Sequence, residues 1–238
     1  MNRIFVTYLA NDLFLDGVLV LNISLKSHNK NIGLICLVTD EVSKGSIKEL
    51  EKYKIKIKKV DWIVPKRDDF KGRYGKNEGR YMFTKLNIFK LPYEKILYLD
   101  ADVIVTSSIE HLFENNTPAA IFDDTALDPR NIGFNGGVLL LSPSKKIFNT
   151  LIKKIDDYGL WSDQTLLNKL IVFNKLDKKY NTLYKPLDKW MLFFFFFLPP
   201  PIIHFNGSKP WIIDGKSRWV KRSLDGCFFH YNKYRKRL

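Results

Sequence analysis

Apolar runs alternate with mixed segments along the first hundred residues. RIFVTYL (3–9) reads as a strand, and Asp12 stands where a cap would begin a helix running to about His28. Leu15, Val18, Leu19, Ile23 and Leu25 mark the apolar side of that helix. IGLICLVTD (32–40) is a continuous apolar run, the pattern of a strand covered on both faces. A helix near 43–53 precedes KIKIKKVDWIV (54–64), which alternates at first as a strand does. PKRDDFKGRYGKNEGRY (65–81) is basic, glycine-containing and aperiodic, hence loop-like. FTKLNIFKL (83–91) reads as a short helix and KILYLDADVIV (95–105) as one strand. Further on come a short strand in AAIFDD (119–124), a polar, glycine-rich entrance to a strand in GFNGGVLLLSPSK (133–145), and a helix near 144–158. SDQTLLNKLIVF (162–173) follows as a helix for which Ser162 is the preferred cap, and PIIHFNGSKPWI (201–212) as a strand entering a Gly/Pro turn. Strand–helix alternation predicts an α/β fold with a mostly parallel, Rossmann-like sheet and helices on both faces. Neither a repeat nor a linker divides the chain, so one domain is expected over 1–238.

Such sheets bind ligands beyond the carboxyl ends of their strands. Thr7 to Asn11, Asp40, and the pair Asp100 and Asp102 lie at such ends, although Asp40 also fits a simple turn. Carboxylates next to a buried strand are costly unless paired or bound to a cation. Alternate residues of an extended strand face one side, so Asp100 and Asp102 are expected to converge and to suit a hard divalent cation, Mg²⁺ or Mn²⁺. An Asp-x-Asp alone is a weak signal. His204 strengthens it, because a neutral imidazole can complete a two-acid metal site. Gly207 and Lys209 would let backbone and an ammonium approach a pyrophosphate; a glycine turn with a solvated lysine is the plainer reading. Asn135 with Gly136 and Gly137 offers a polar group and space for a ligand at a strand entrance, or merely a bulge.

The 238 residues carry a net charge of +14, which draws in anions: nucleic acid, anionic membrane or phosphorylated small molecules. Two cysteines, Cys36 and Cys227, form no disulfide framework or zinc motif, and Cys36 reads as a core thiol, so a reducing, cytoplasmic compartment is expected. The N-terminus reads as a strand and not as a signal peptide. LFFFFFL (192–198) is far short of the ~20 residues that span a bilayer. The run Phe193–Phe197 fits a core or an acceptor cleft.

Taken in order, FVTYLAND, FTKL, YLDADVIV, FNGGVLLLSPS, SDQTLLN and HFNGSKPW resemble glycosyltransferase family 8, which includes glycogenin and bacterial lipooligosaccharide galactosyltransferases. The resemblance covers about residues 3–212. It implies a GT-A type fold and a retaining, metal-dependent hexosyl transfer, with Mn²⁺ (or Mg²⁺) and UDP-glucose or UDP-galactose as donor. On that reading 1–105 is the nucleotide-binding half, 106–212 the sugar and acceptor half, and 213–238 a basic aromatic tail.

Carried over by residue, Asp100 and Asp102 match the metal-binding Asp-x-Asp, with Ala101 between them in the nucleotide-contacting set, and His204 matches the third ligand. Thr7, Leu9 and Asn11 match the loop that holds uracil and ribose, and Phe14 falls where glycogenin stacks a tyrosine. Lys85 matches a lysine near the donor phosphates and sugar, and Asn135, Gly137, Asp163 and Gln164 match the sugar pocket. Among these, Asp163, Gln164 and Lys85 form the implied catalytic group. Gly207 and Lys209 match the pyrophosphate clasp in a turn one residue shorter than glycogenin's. Asp123 and Asn181 are further sugar-contact candidates. Tyr184 does not fall at the spacing of glycogenin's self-glucosylated tyrosine.

An amide is a poor nucleophile, so a front-face route is preferred over a covalent route through Asp163, which stays open. A sugar-phosphate nucleotidylyltransferase is disfavoured because TYLANDLF lacks the glycine-rich phosphate loop. The basic tail leaves two alternatives without transferase activity, a nucleic-acid binder or an anionic-membrane binder, and no nucleic-acid motif accompanies it. Peripheral membrane contact through Trp219, Phe228, Phe229 and Tyr231 is also compatible with transfer to a lipid-linked glycan. The acceptor is otherwise any hydroxyl on glycan or protein, and a homodimer is left open.

Overall fold

The apolar runs become the centre of a seven-stranded sheet. The computed structural model describes residues 2–66, 79–123, 133–158, 162–184, 195–206, 209–211 and 227–238. β1 (Arg3–Leu9) lies between β2 (Leu34–Val38) and β4 (Lys95–Leu99), parallel to both, and β3 (Lys56–Lys59) adds in parallel to β2. β7 (Gly133–Leu141) runs antiparallel between β4 and β6 (Ala119–Asp123), and β8 (Asn174–Leu176) pairs in parallel with β6. The order is β3-β2-β1-β4-β7-β6-β8. β2 is buried at all five positions, as its unbroken apolar sequence requires. β3 is shorter than the alternating run suggested, because pairing with β2 ends at Lys59.

Helices cover both faces. On one side α1 (Leu15–His28) and α2 (Lys44–Lys52) bury Val18, Leu19, Leu21, Leu25 and Leu50 against Phe5, Cys36 and Leu97. On the other, the 3-10 helix Gly79–Lys90, α3 (Lys145–Tyr158) and α4 (Asp163–Leu170) bury Phe83, Leu86, Leu151 and Leu166 against Val6, Ile96 and Leu139. Ser162 accepts from the Thr165 amide at 3.2 Å and caps α4 as expected. The cap before α1 is Asn11, whose Oδ1 accepts from Leu13 N; Asp12 lies inside a short 3-10 turn and accepts from Ser43 N instead.

The stretch 95–105 is not one strand. It bends at Asp100–Asp102, and β5 (Val103–Val105) enters a second sheet with β10 (Ile202–His204) and β9 (Thr182–Leu183), in the order β5-β10-β9. Strands of two or three residues do not hold together alone. This sheet survives because Ile104 and Ile203 pack with Val20 of α1, so α1 is apolar on two sides. α5 (Cys227–Arg235) closes the same cluster with Tyr231 and Tyr234. Its Arg235 pairs with Asp16 at 3.0 Å, and the Tyr234 hydroxyl lies 2.8 Å from His28 Nε2. Tyr231 is therefore core and not a lipid contact; Phe229 is exposed, while Trp219 and the Phe228 side chain lie outside the described residues. Among the described residues no helix is long and apolar enough to cross a membrane.

Candidate active site

Asp100, Ala101 and Asp102 form the turn that joins the two sheets, and both sheets fix it. Asp100 N donates to Gly137 O of β7 at 2.9 Å, and Phe205 N donates to Asp102 O at 2.9 Å. The two carboxylates thus converge through a clamped turn, not through strand alternation. β10 runs antiparallel to β5 with His204 opposite Val103, which brings the imidazole beside Asp102. His204 Nε2 lies 3.1 Å from Asp102 Oδ1 and 4.0 Å from Asp100 Oδ2.

The ligating atoms of Asp100, Asp102 and His204 all lie within 4.8 Å of one another. A hard divalent ion bonds its ligands at about 2.1 Å, so atoms sharing one ion lie at most about 4.2 Å apart. Two carboxylates and one imidazole at this spacing fit Mn²⁺ or Mg²⁺ with small side-chain adjustments, and leave further coordination positions for phosphate oxygens.

Two lysines neutralise the acids. Lys85, from the 3-10 helix, is buried, ion-paired with Asp163 of α4, 3.9 Å from Asp100 Oδ1, and donates to Gly136 O at 3.3 Å. Burial works against its charge, but Asp163 and Asp100 outweigh burial and raise its pKa above the ordinary lysine value. Lys209 pairs with Asp102 and donates to Phe205 O at 2.7 Å. Burial pushes the Asp102 carboxyl upward, but His204 and Lys209 prevail and hold it well below the usual carboxylate range. Asp100 is raised, chiefly by burial, although Tyr98 OH donates to its Oδ1 at 2.7 Å. His204 is raised as well: burial opposes its proton, and the Asp102 carboxylate more than compensates.

Gln164 Oε1 accepts from Gly136 N at 3.1 Å, which puts Asp163 and Gln164 beside the Gly136–Gly137 stretch. Asn135 and Asn181 are buried and bonded to each other. Thr7 and Leu9 are buried in β1, so only their backbone or the strand end can face a ligand; the Thr7 hydroxyl is buried without a hydrogen-bond partner. Asn11 spends its side-chain oxygen on the cap. The Phe14 ring meets Trp211 edge-on at 5.6 Å, with Lys209 Nζ 5.9 Å from its centroid. Gly207 lies outside the described residues, as does the side chain of Asp123.

Three residues escaped the sequence reading. Tyr98 holds Asp100 from two positions upstream. Trp211 ties itself to the 3-10 turn before α1 through Nε1 to Leu13 O at 2.9 Å. A Cβ on Gly17 of α1 would stand 2.3 Å from Ala101 O and 2.7 Å from Trp211, so only glycine lets the helix approach the Asp100–Asp102 turn. An isolated glycine in a helical pattern was the one available signal.

A parallel sheet with one antiparallel inner strand and an acid-rich turn leading into a second small sheet define a GT-A type fold. The sequence model of Glycosyl transferase family 8 matches residues 5–214, and the chain belongs to that family. It is 32% identical to inositol phosphorylceramide glucuronosyltransferase 1 of Arabidopsis thaliana over 93% of its length, and 29% identical to human glycogenin-1 over 92%. It spans only 44% and 66% of those proteins. The crystal structure of galactosyltransferase LgtC, in complex with donor and acceptor sugar analogs, superposes with a TM-score of 0.68 at 18% identity, covering 98% of this chain and 95% of that one.

Proposed function

We propose that this chain is a metal-dependent, retaining hexosyltransferase that moves glucose or galactose from a UDP-sugar to a hydroxyl acceptor. The observation that carries the reading is the convergence of Asp100, Asp102 and His204 on one point, beside the buried Lys85–Asp163 pair. Those three residues would hold Mn²⁺ or Mg²⁺. Bound there, the ion supplies charge neutralisation for the departing diphosphate.

The remaining residues supply the rest. Lys209, already anchored on Asp102, offers an ammonium to the pyrophosphate. Asp163 presents a carboxylate to sugar hydroxyls, with Lys85 holding its orientation. The bond from the anomeric carbon to the diphosphate oxygen breaks, and its electron pair leaves on UDP. The acceptor oxygen bonds that carbon, and its proton passes to a phosphate oxygen of the leaving group. A carboxylate held by an ammonium is a weak nucleophile, which supports this front-face route over a covalent one through Asp163.

The surface favours a lipid-linked acceptor. Phe196 packs on Phe229 at 4.5 Å, and Phe196, Phe197, Leu198 and Phe229 remain exposed. Lys233 lies one helical turn beyond Phe229, so aromatic and cationic groups share a face suited to anionic lipid. Sedimentation with anionic but not neutral vesicles is the expected outcome, and no sedimentation with either would remove the lipid-linked class.

Hydrolysis of UDP-glucose and UDP-galactose tests the transferase reading, since slow hydrolysis requires no acceptor. Wild type is expected to release UDP with Mn²⁺ and to lose that activity in EDTA. Asp102→Asn is expected to fold normally and lose about 10²–10³-fold in rate. Undiminished turnover in EDTA would contradict the metal role.

A further inference from the structure

Asn135 and Asn181 match sugar-pocket positions, but their hydrogen bonds point inward, toward the imidazole. Gly137 N donates to Asn135 Oδ1 at 2.8 Å. A backbone N–H can only donate, so this bond fixes which end of the Asn135 amide is oxygen. The same Oδ1 lies 2.8 Å from Asn181 Nδ2 and accepts from it. Asn181 Oδ1 is thereby turned toward His204 Nδ1, at 2.8 Å. An amide oxygen only accepts, so Nδ1 must carry the proton. The other nitrogen, Nε2, is the one facing Asp102 and Asp100.

The three side chains are buried and come from β7, the end of the 3-10 helix Lys178–Asn181, and β10. Gly137 is part of the device, since a Cβ there would stand 2.5 Å from His204 Cε1 and 3.0 Å from Asn135 Oδ1. We propose that the relay Gly137–Asn135–Asn181 sets the tautomer and ring orientation of His204, so that Nε2 is presented to a divalent cation. Asn135 and Asn181 are then positioning residues for the metal, whatever they also touch in the donor sugar. Outer partners of a metal-bound imidazole commonly change affinity by about 10–100-fold when removed. The proposal rests on the metal reading above.

The test is Mn²⁺ affinity, read by electron paramagnetic resonance on the full chain without donor. Asn181→Leu removes both the acceptor for Nδ1 and the donor to Asn135, and is expected to weaken Mn²⁺ binding about 10–100-fold. Asn135→Leu is expected to do the same. Asn135→Asp keeps an oxygen where Gly137 N and Asn181 Nδ2 both donate, and is expected to retain wild-type affinity. A sugar-contact role alone would leave metal affinity unmoved in all three, and that result overturns the proposal. So does Asn135→Asp falling as far as Asn135→Leu.

Unmodified protein gives a second readout that survives any folding failure of the leucine variants. With ¹⁵N-labelled histidine and Zn²⁺ as a diamagnetic probe, His204 is expected to show a protonated Nδ1 and a proton-free Nε2. The reverse pattern overturns the relay. Absence of Mn²⁺ binding by wild type would instead overturn the metal reading, and the relay with it.

Discussion

Gly137→Ala puts the packing around the imidazole to a quantitative test. Gly137 lies inside β7, and only space, not backbone conformation, restricts it. The added Cβ would stand 2.5 Å from His204 Cε1, 2.8 Å from its Nδ1 and 3.0 Å from Asn135 Oδ1. Ordinary contact begins near 3.4 Å, so the ring must retreat by roughly 1 Å. Neither neighbour yields readily: the ring is bonded to Asn181 and Asn135 to Gly137 N. Overpacking of this kind costs about 1–3 kcal/mol in folding stability. Metal–ligand distances hold to about 0.2 Å, and a ring pushed toward the acids by a fixed Cβ cannot readjust to restore them. Mn²⁺ affinity is therefore expected to fall at least tenfold, more than proportionately to the stability loss. Denaturant unfolding gives the first quantity and Mn²⁺ titration the second. Wild-type metal affinity in the alanine variant would show that the ring has room that this packing denies it, and the tight fit at Gly137 would be wrong.

Lys85→Met is expected to lower stability by about 3–5 kcal/mol, because Asp163 stays buried without its cation; Lys85→Met/Asp163→Leu should recover most of the loss, as denaturant titration would show. Gly45→Ala in α2 meets only Ser43 Oγ at 3.6 Å and is expected to raise stability by about 0.4–1 kcal/mol in the same assay, with UDP-sugar hydrolysis unchanged. The imidazoles of His28 and His230 are both held below the usual histidine pKa by burial and then by nearby cations. A lowered folded-state pKa means the unfolded chain binds the proton better, so their contribution is present above about pH 6.5 and lost as pH falls. Amide protection factors in α5, each taken against the intrinsic exchange rate at the same pH, should fall between pH 7.5 and 5.5, and much less so in His28→Gln/His230→Gln.

The sequence made the parallel part of the sheet readable, since the runs around Phe5, Cys36 and Leu97 are apolar enough to require cover on both sides. It also exposed Asp100 and Asp102, whose charge conflicts with the strand before them. The reason they converge was not readable. An apolar triplet such as Val103–Val105 does not say which sheet it joins, and here it leaves one for another. The same switch hides the double burial of α1, where Val20 stands off the stripe of Val18, Leu19 and Leu25 with no evident cover until the second sheet packs on it. His204 stood out only as an imidazole after an apolar run, and the family resemblance tied it to the two acids, because pairing across about a hundred residues of sequence leaves no periodic trace. The buried relay was equally silent. Asparagines suggest a ligand as readily as they suggest a hydrogen bond to another side chain, and only the direction of the Gly137 N–H distinguishes the two.

The most direct measurement is the anomalous scattering of crystals grown with Mn²⁺ and UDP. A single strong peak is expected about 2.1 Å from oxygens of Asp100 and Asp102 and from Nε2 of His204, absent in crystals of Asp102→Asn. A manganese peak elsewhere, or none at these residues with UDP bound, would contradict the metal role.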